Sequence, residues 1–280
     1  MTSSGVIVVD KPKGPTSNDV VQRVRRGLKV DRVGHTGTLD PMATGVLPVC
    51  VGEATKIVQL LMGDDKAYEA EVTLGAETDT LDAQGQVVAT GPVVPFDAAV
   101  LARFRGTYLQ TPPMFSAVKV GGRKLYEAAR AGEELERAPR EVTVTKLEVL
   151  AVEGAKVRLQ LECSKGFYVR VLACELGKAL GTVAHLSTLR RTKAGVFTLA
   201  QAVPLDDACA GRGLMPIEAA VRHLPSVRVS EAEAKRVLSG GRVEAAPAEG
   251  PVCVLGPSGA LLAIADVVGG VLKYRRVMAP

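Results

Sequence analysis

The sequence predicts an α+β fold, and three observations predict it. Runs that alternate with a period of two, such as residues 66–75, sit beside capped stretches of helical spacing, such as residues 16–28. Residues 142–152 and 156–163 read as two strands of a hairpin around Glu153-Gly154-Ala155, an antiparallel signature. From about Val227 the character changes to short strands separated by glycine turns. At 280 residues the chain has enough length for a substantial core and for more than one domain.

Composition bounds the function classes. Hydrophobic residues make up 47% and charged residues 23%, ordinary for a globular protein. No apolar run approaches the roughly 18 residues of a membrane span, and the N-terminus lacks the pattern of a secretory signal, so a cytoplasmic location is expected. The five cysteines (Cys50, Cys163, Cys174, Cys209, Cys253) are scattered, without a Cys-x-x-Cys pair. His35, His185 and His223 are far apart, so neither a disulfide framework nor a metal site is expected. Cys50 and Cys163 lie in apolar or strand-like runs and read as small buried hydrophobes. The net charge of +5 suits a polyanionic partner. Basic residues gather at Arg23, Arg25, Arg26, Lys29 and Arg32, at Lys119, Arg123 and Lys124, at Arg190, Arg191 and Lys193, and at Lys273, Arg275 and Arg276. Each cluster reads equally as a phosphate contact or as a solvated face.

Residues 5–9 form a β-branched strand that ends in the turn-rich Asp10-Lys11-Pro12-Lys13-Gly14-Pro15. Thr16 to Asp19 offer N-cap oxygens to a helix carrying Val20, Val21, Val24 and Leu28, expected to stop near Gly27. Residues 34–48, Gly-His-Thr-Gly-Thr-Leu-Asp-Pro-Met-Ala-Thr-Gly-Val-Leu-Pro, start as a tight polar loop and become a buried strand after Ala43. Asp40 precedes Pro41, which biases it away from α, and its residue type alone permits a turn former, a cap or a nucleophile.

A helix is expected over residues 53–61, then a strand whose inward set is Tyr68, Ala70, Val72 and Leu74. Residues 78–85 read as an ordered Asx-type turn without chemistry, leading to a strand at 86–89. Residues 96–104 read as a short amphipathic helix with Val100, Leu101 and Phe104 inward. Residues 118–120 are expected to be extended, Gly121-Gly122 to turn, and 123–130 to be helical. The hairpin leads into Ser164-Lys165-Gly166-Phe167-Tyr168-Val169-Arg170 and a helix over 171–180. Near the C-terminus a helix is expected over 231–238, and strands at 252–255, 261–267 and 271–274.

The string Gly-His-Thr-Gly-Thr-Leu-Asp-Pro-Met-Ala-Thr-Gly closely resembles the active-site segment of the bacterial tRNA pseudouridine synthase B family, which modifies the T-arm of tRNA. Asp-Lys-Pro-x-Gly-x-Thr-Ser at the start, Lys-x-Tyr at residues 66–68, Ser-Lys-Gly-x-Tyr-x-Arg at 164–170 and Leu189-Arg190-Arg191 extend that resemblance. It implies a pseudouridine synthase fold: a central mixed, largely antiparallel sheet flanked by helices, with a small C-terminal PUA-like β-barrel. The domains would be residues 1–225, with an RNA-gripping insertion at about 119–146, and residues 226–280. The resemblance makes Asp40 the catalytic acid, Arg170 its guanidinium partner and Tyr68 the stacking tyrosine. It assigns to substrate binding Tyr168 and Leu189 beside the base, His35 as the wedge in the vacated stack (or simply bonded to its own loop), Lys11, and Lys119, Arg123 and Lys124 on phosphates. The implied activity is conversion of the T-loop uridine (position 55) to pseudouridine by a monomer, with a tRNA T-arm stem–loop as partner and with no cofactor, metal or membrane. A guide-RNA-dependent homologue, a non-catalytic tRNA-folding protein and a base-excising glycosylase stand as alternatives at this point.

Overall fold

The computed structural model describes residues 4–63, 65–248 and 250–278. The strands β1 (Gly5–Lys11), β2 (Val33–His35), β3 (Thr44–Val51) and β4 (Lys66–Leu74) alternate with the helices α1 (Ser17–Leu28) and α2 (Val58–Met62). A small ribbon follows, β5 (Ala76–Thr78) with β6 (Val87–Thr90), and then β7 (Gly106–Gln110). The next elements are a two-residue ribbon, β8 (Lys119–Val120) with β9 (Arg123–Lys124), and α3 (Leu125–Arg130). The hairpin β10 (Arg140–Glu153) and β11 (Lys156–Cys163) leads to α4 (Val169–Ala179) and β12 (Ala184–Ala194).

The central sheet runs β1-β3-β12-β4-β11-β10-β7, with Val203–Pro204 parallel to β1 at one edge. The β3–β12 pair is parallel and the other pairs along β1 to β7 are antiparallel, so the sheet is mixed and largely antiparallel. Tyr68, Ala70, Val72 and Leu74 of β4 all face the core, where they meet Leu159 and Leu161 of β11 and Leu172 of α4. Cys50 and Cys163 are buried, and burial pushes both thiols up to about 12.

Several expected elements are tighter or shorter than expected. Residues 53–61 are a 3₁₀ segment, Gly52–Ile57, that passes into the one-turn α2. Gly52 takes a positive φ, Thr55 Oγ1 donates to the Gly52 carbonyl at 2.7 Å, and the β-branched Thr55, Ile57 and Val58 disfavour a long α-helix. Ala98–Phe104 is also 3₁₀, and its buried Leu101 and Phe104 are three apart, a spacing the 3₁₀ period serves directly. The helix after Gly121-Gly122 starts at Leu125, because Arg123 and Lys124 are taken into β9. Both glycines have positive φ, which a two-residue turn between antiparallel strands requires.

The C-terminal strands do not close. Ser226–Arg228, Pro251–Leu255, Leu261–Val268 and Val271–Val277 form an open four-stranded sheet in that order. Val252, Val254, Ala263 and Ala265 pack on one face with Val237 of the helix Glu231–Leu238. Cys253 and Ile264 belong to the other face and join Val6, Val8 and Ile57 of the larger unit. Burial on both faces, with an edge strand of only three residues, leaves this sheet without the strand number and stagger of closure.

Candidate functional site

The polar loop between β2 and β3 is fixed to the scaffold through its backbone. Thr16 caps α1 in a reciprocal pair with Asp19, which places Ser17 at the first helical position. The buried Ser17 Oγ accepts from Leu39 N (2.8 Å) and donates to Leu39 O (3.0 Å). The Lys11 ammonium, fully buried, donates to the carbonyls of Ala43 (2.8 Å), Pro12 (3.1 Å) and Pro41 (3.3 Å). Burial pushes Lys11 down to about 8, against the opposing pull of Asp40. Arg191, only 1% exposed, donates from Nε to Val46 O (2.7 Å) and from Nη2 to Gly37 O (3.1 Å). Arg191 also pairs with Gly45 in the β12–β3 register, and a Cβ on Gly45 would lie 2.2 Å from the Arg191 carbonyl. Gly45 therefore has to be glycine both for its φ of 100° and for this approach.

Asp40 sits at the tip of the loop with 31% of its side chain open. Arg170, in the first turn of α4 and 3% exposed, reaches it from 130 residues away. Its Nη2 donates to Asp40 Oδ1 at 3.2 Å, and Nε lies 2.8 Å from Oδ2, with the N–H poorly aimed for a hydrogen bond. Nη2 also donates to Phe115 O (2.8 Å) and Nη1 to Thr80 O (3.1 Å), so the fork is held on three sides. The buried Asp82 carboxylate stands 3.8 Å from the same Nε. Burial pushes the Asp40 carboxyl up from its ordinary range. The Arg170 charge opposes the rise, Asp82 adds to it, and Lys11 opposes it weakly. Burial and three charged neighbours, Arg170, Asp82 and Lys11, thus act together on one acid.

Asp40, Tyr68, Tyr168, Arg170 and Leu189 line one cavity of about 680 Å³. Tyr68 is 9% exposed, and burial pushes its phenol up to about 12 even though Arg191 draws it down. It is a neutral ring and a donor at neutral pH. Tyr168 precedes α4 and is gripped by the buried Gln110, whose Oε1 accepts from Tyr168 N (2.8 Å) and whose Nε2 donates to Tyr168 O (3.2 Å). Leu189, 7% exposed, supplies an apolar wall. An anion held by a guanidinium, an aromatic face and an apolar wall together suit a sugar bearing a flat base.

Comparison with known proteins then decides the family. Residues 25–169 match the TruB family pseudouridylate synthase N-terminal domain, and residues 170–210 the tRNA pseudouridylate synthase B C-terminal domain. The chain belongs to the TruB family. The tRNA pseudouridine synthase B of Aromatoleum aromaticum is 48% identical over 98% of this chain and 92% of its own length. That of Stutzerimonas stutzeri is 47% identical over 94% of this chain and 92% of its own. Among solved structures, a Cbf5-Nop10-Gar1 complex matches with a TM-score of 0.78 at 30% identity, covering 99% of this chain and 85% of that chain. The fold is the α+β pseudouridine synthase fold. The two TruB models meet between Val169 and Arg170, inside α4, so their junction is no boundary of the structure.

Of the residues the sequence nominates, Asp40, Tyr68, Tyr168, Arg170 and Leu189 converge on the cavity. His35 stands beside it, with Nδ1 accepting from Gly37 N at 3.2 Å, and burial lowers the pKa of its ring. Lys11 lies beneath the loop, all of its ammonium contacts being backbone carbonyls, so its place is under the acid rather than against a substrate. Lys119 and Arg123 are exposed on the insertion; Arg123 pairs with Glu133 (2.8 Å), and Lys124 lies 3.8 Å from Glu127. The cluster Arg190-Arg191-Lys193 is not a surface patch, since Arg191 is buried and Arg190 pairs with Asp10 at 2.8 Å. Sequence reasoning missed Asp82, Arg191, Ser17 and Gln110. Residues 78–85 do form the expected Asx turn, with Gln84 N donating to Asp82 Oδ1 at 3.0 Å, but the second carboxylate oxygen faces Arg170. The even-numbered alternation of β4 meeting a basic pair in β12 was the available signal for Arg191, which pairs with Tyr68.

Proposed function

We infer that the protein is a tRNA pseudouridine synthase that isomerises the T-loop uridine at position 55. The observation that carries this is the ion pair Asp40–Arg170 at the mouth of a cavity walled by Tyr68 and Leu189. The reaction breaks the N1–C1′ bond, rotates the detached uracil and rejoins it through C5. The ribose atoms meet the Asp40 carboxylate, whose ionised form the Arg170 fork favours while burial raises its pKa. The carboxylate either attacks C1′ or removes the C2′ proton. Tyr68 stacks on the base and donates from its neutral phenol. Tyr168 and Leu189 retain the free uracil while it turns. A uridine in a folded loop has to leave its stack first, at a cost of a few kcal/mol, and His35 fills the gap it leaves.

Relatives at 46–48% identity that carry the name tRNA pseudouridine synthase B favour a stand-alone tRNA enzyme over a guide-RNA-dependent one. The domain reading is that residues 1–225 carry the chemistry, residues 119–146 grip RNA, and residues 226–280 form an RNA-binding unit built on an open sheet in place of the expected PUA-like barrel. A second cavity supports a role for the latter, since Lys56, Arg275 and Arg276 line it and it shares Gln59 with the catalytic cavity. Incubation with unmodified tRNA followed by mapping of pseudouridine tests the function. Pseudouridine at one T-loop position is the expected product; free uracil or an unchanged tRNA would overturn the reading.

A further inference from the structure

The cavity holds more positive charge than the chemistry uses. Lys66, Arg140, Lys165, Arg170 and Arg191 all line it, against the carboxylates of Asp40 and Glu141. Arg170 is committed to Asp40, Arg191 to backbone carbonyls, and Lys66 donates to Met62 O at 2.9 Å. Arg140 and Lys165 differ: both are exposed, and neither has an ion pair or side-chain hydrogen bond among the described residues.

Their backbones are nevertheless well fixed. Arg140 opens β10 and pairs with Gln110, the residue that grips Tyr168. Lys165 sits in the turn after β11, which is tied to β10 twice: Thr143 N donates to Ser164 Oγ (2.9 Å) and Ser164 N to Thr143 O (2.8 Å). Continuing that antiparallel register brings Arg140 alongside the 165–167 turn. The two cations therefore share one rim of the cavity. In contrast, Arg123 and Lys124 on the insertion already have Glu133 and Glu127.

We propose that Arg140 and Lys165 bind the phosphates flanking the flipped uridine, making this rim the backbone clamp of the RNA site. This rests on the functional reading above. A uridine whose base enters the cavity toward Tyr68 leaves its sugar-phosphate at the mouth, where an unpaired guanidinium and ammonium on ordered backbone meet it at little reorganisation cost. Glu141, on the same rim, disfavours an anion that strays from the two cations and so helps set the register of the strand.

The test is equilibrium binding of an unmodified T-arm stem–loop in an Asp40→Asn background, which reads binding without turnover. Arg140→Gln and Lys165→Gln should each weaken binding roughly tenfold, and each should flatten the dependence of log K on log salt by about 0.7–0.9. Arg140→Lys should restore the salt slope. In the active protein the same two variants should raise KM and keep kcat at saturating RNA. Unchanged affinity and salt slope would overturn the proposal, as would a loss of kcat with KM unchanged. Absence of pseudouridine from the wild-type reaction would instead strike the functional reading, leaving the binding result to stand by itself.

Discussion

The loop that carries Asp40 and the insertion that carries Lys119, Arg123 and Lys124 are both polar, glycine-containing stretches, yet they are held in opposite ways. The Asp40 loop is tied down by Ser17, Lys11 and Arg191, all buried and all bonded to its backbone. The insertion rests on Leu125 and Ala128, and its Arg123 and Lys124 pair with Glu133 and Glu127 in solvent. A buried cation on a carbonyl has no alternative partner if the loop moves, whereas an exposed ion pair exchanges freely with water or phosphate. The first arrangement fixes an acid to within a hydrogen bond, and the second leaves its charges able to exchange partners.

The comparison breaks most visibly at the acid. Asp40→Asn should abolish tritium release from C5-labelled uridine in a T-arm stem–loop, while RNA affinity stays within about threefold, since the change removes chemistry rather than binding. Arg170→Lys should lower kcat on the order of 100-fold, because an ammonium cannot meet Asp40, Thr80 O and Phe115 O at once. A kcat near wild type would show that the fork is not needed. Arg191→Met should destabilise the protein by about 2–4 kcal/mol in urea unfolding, through the unmet carbonyls of Gly37 and Val46.

Two smaller effects sharpen it. Asp82 adds to the rise in the Asp40 pKa, so Asp82→Asn should move the acid limb of the kcat profile to lower pH; a limb that stays or moves up would separate Asp82 from the acid. Lys11 has a folded pKa of about 8, below its unfolded value of 10.5, so the unfolded chain binds the extra proton between those limits. Its contribution to stability therefore rises as pH increases through that window, and Lys11→Met should remove that part of the slope in thermal melts.

The sequence by itself determined the alternation of β4, the hairpin β10–β11, the capped α1 and the motif residues Asp40, Tyr68, Tyr168, Arg170 and Leu189, because each rests on local spacing or on an ordered string of residue types. Only the tertiary structure decided which charges are spent inside the molecule. Lys11 reads as a substrate-binding residue and Arg191 as part of a basic cluster, and both are buried, while Asp82 reads as a turn former and also faces Arg170. It likewise decided that the C-terminal strands stay open, since Cys253 and Ile264 turn toward the larger core. The reason is common to these cases: a side chain's charge and polarity are local, but what it is packed against is set by segments the fold brings together, 32 residues apart for Lys11 and Ala43 and 145 for Arg191 and Val46.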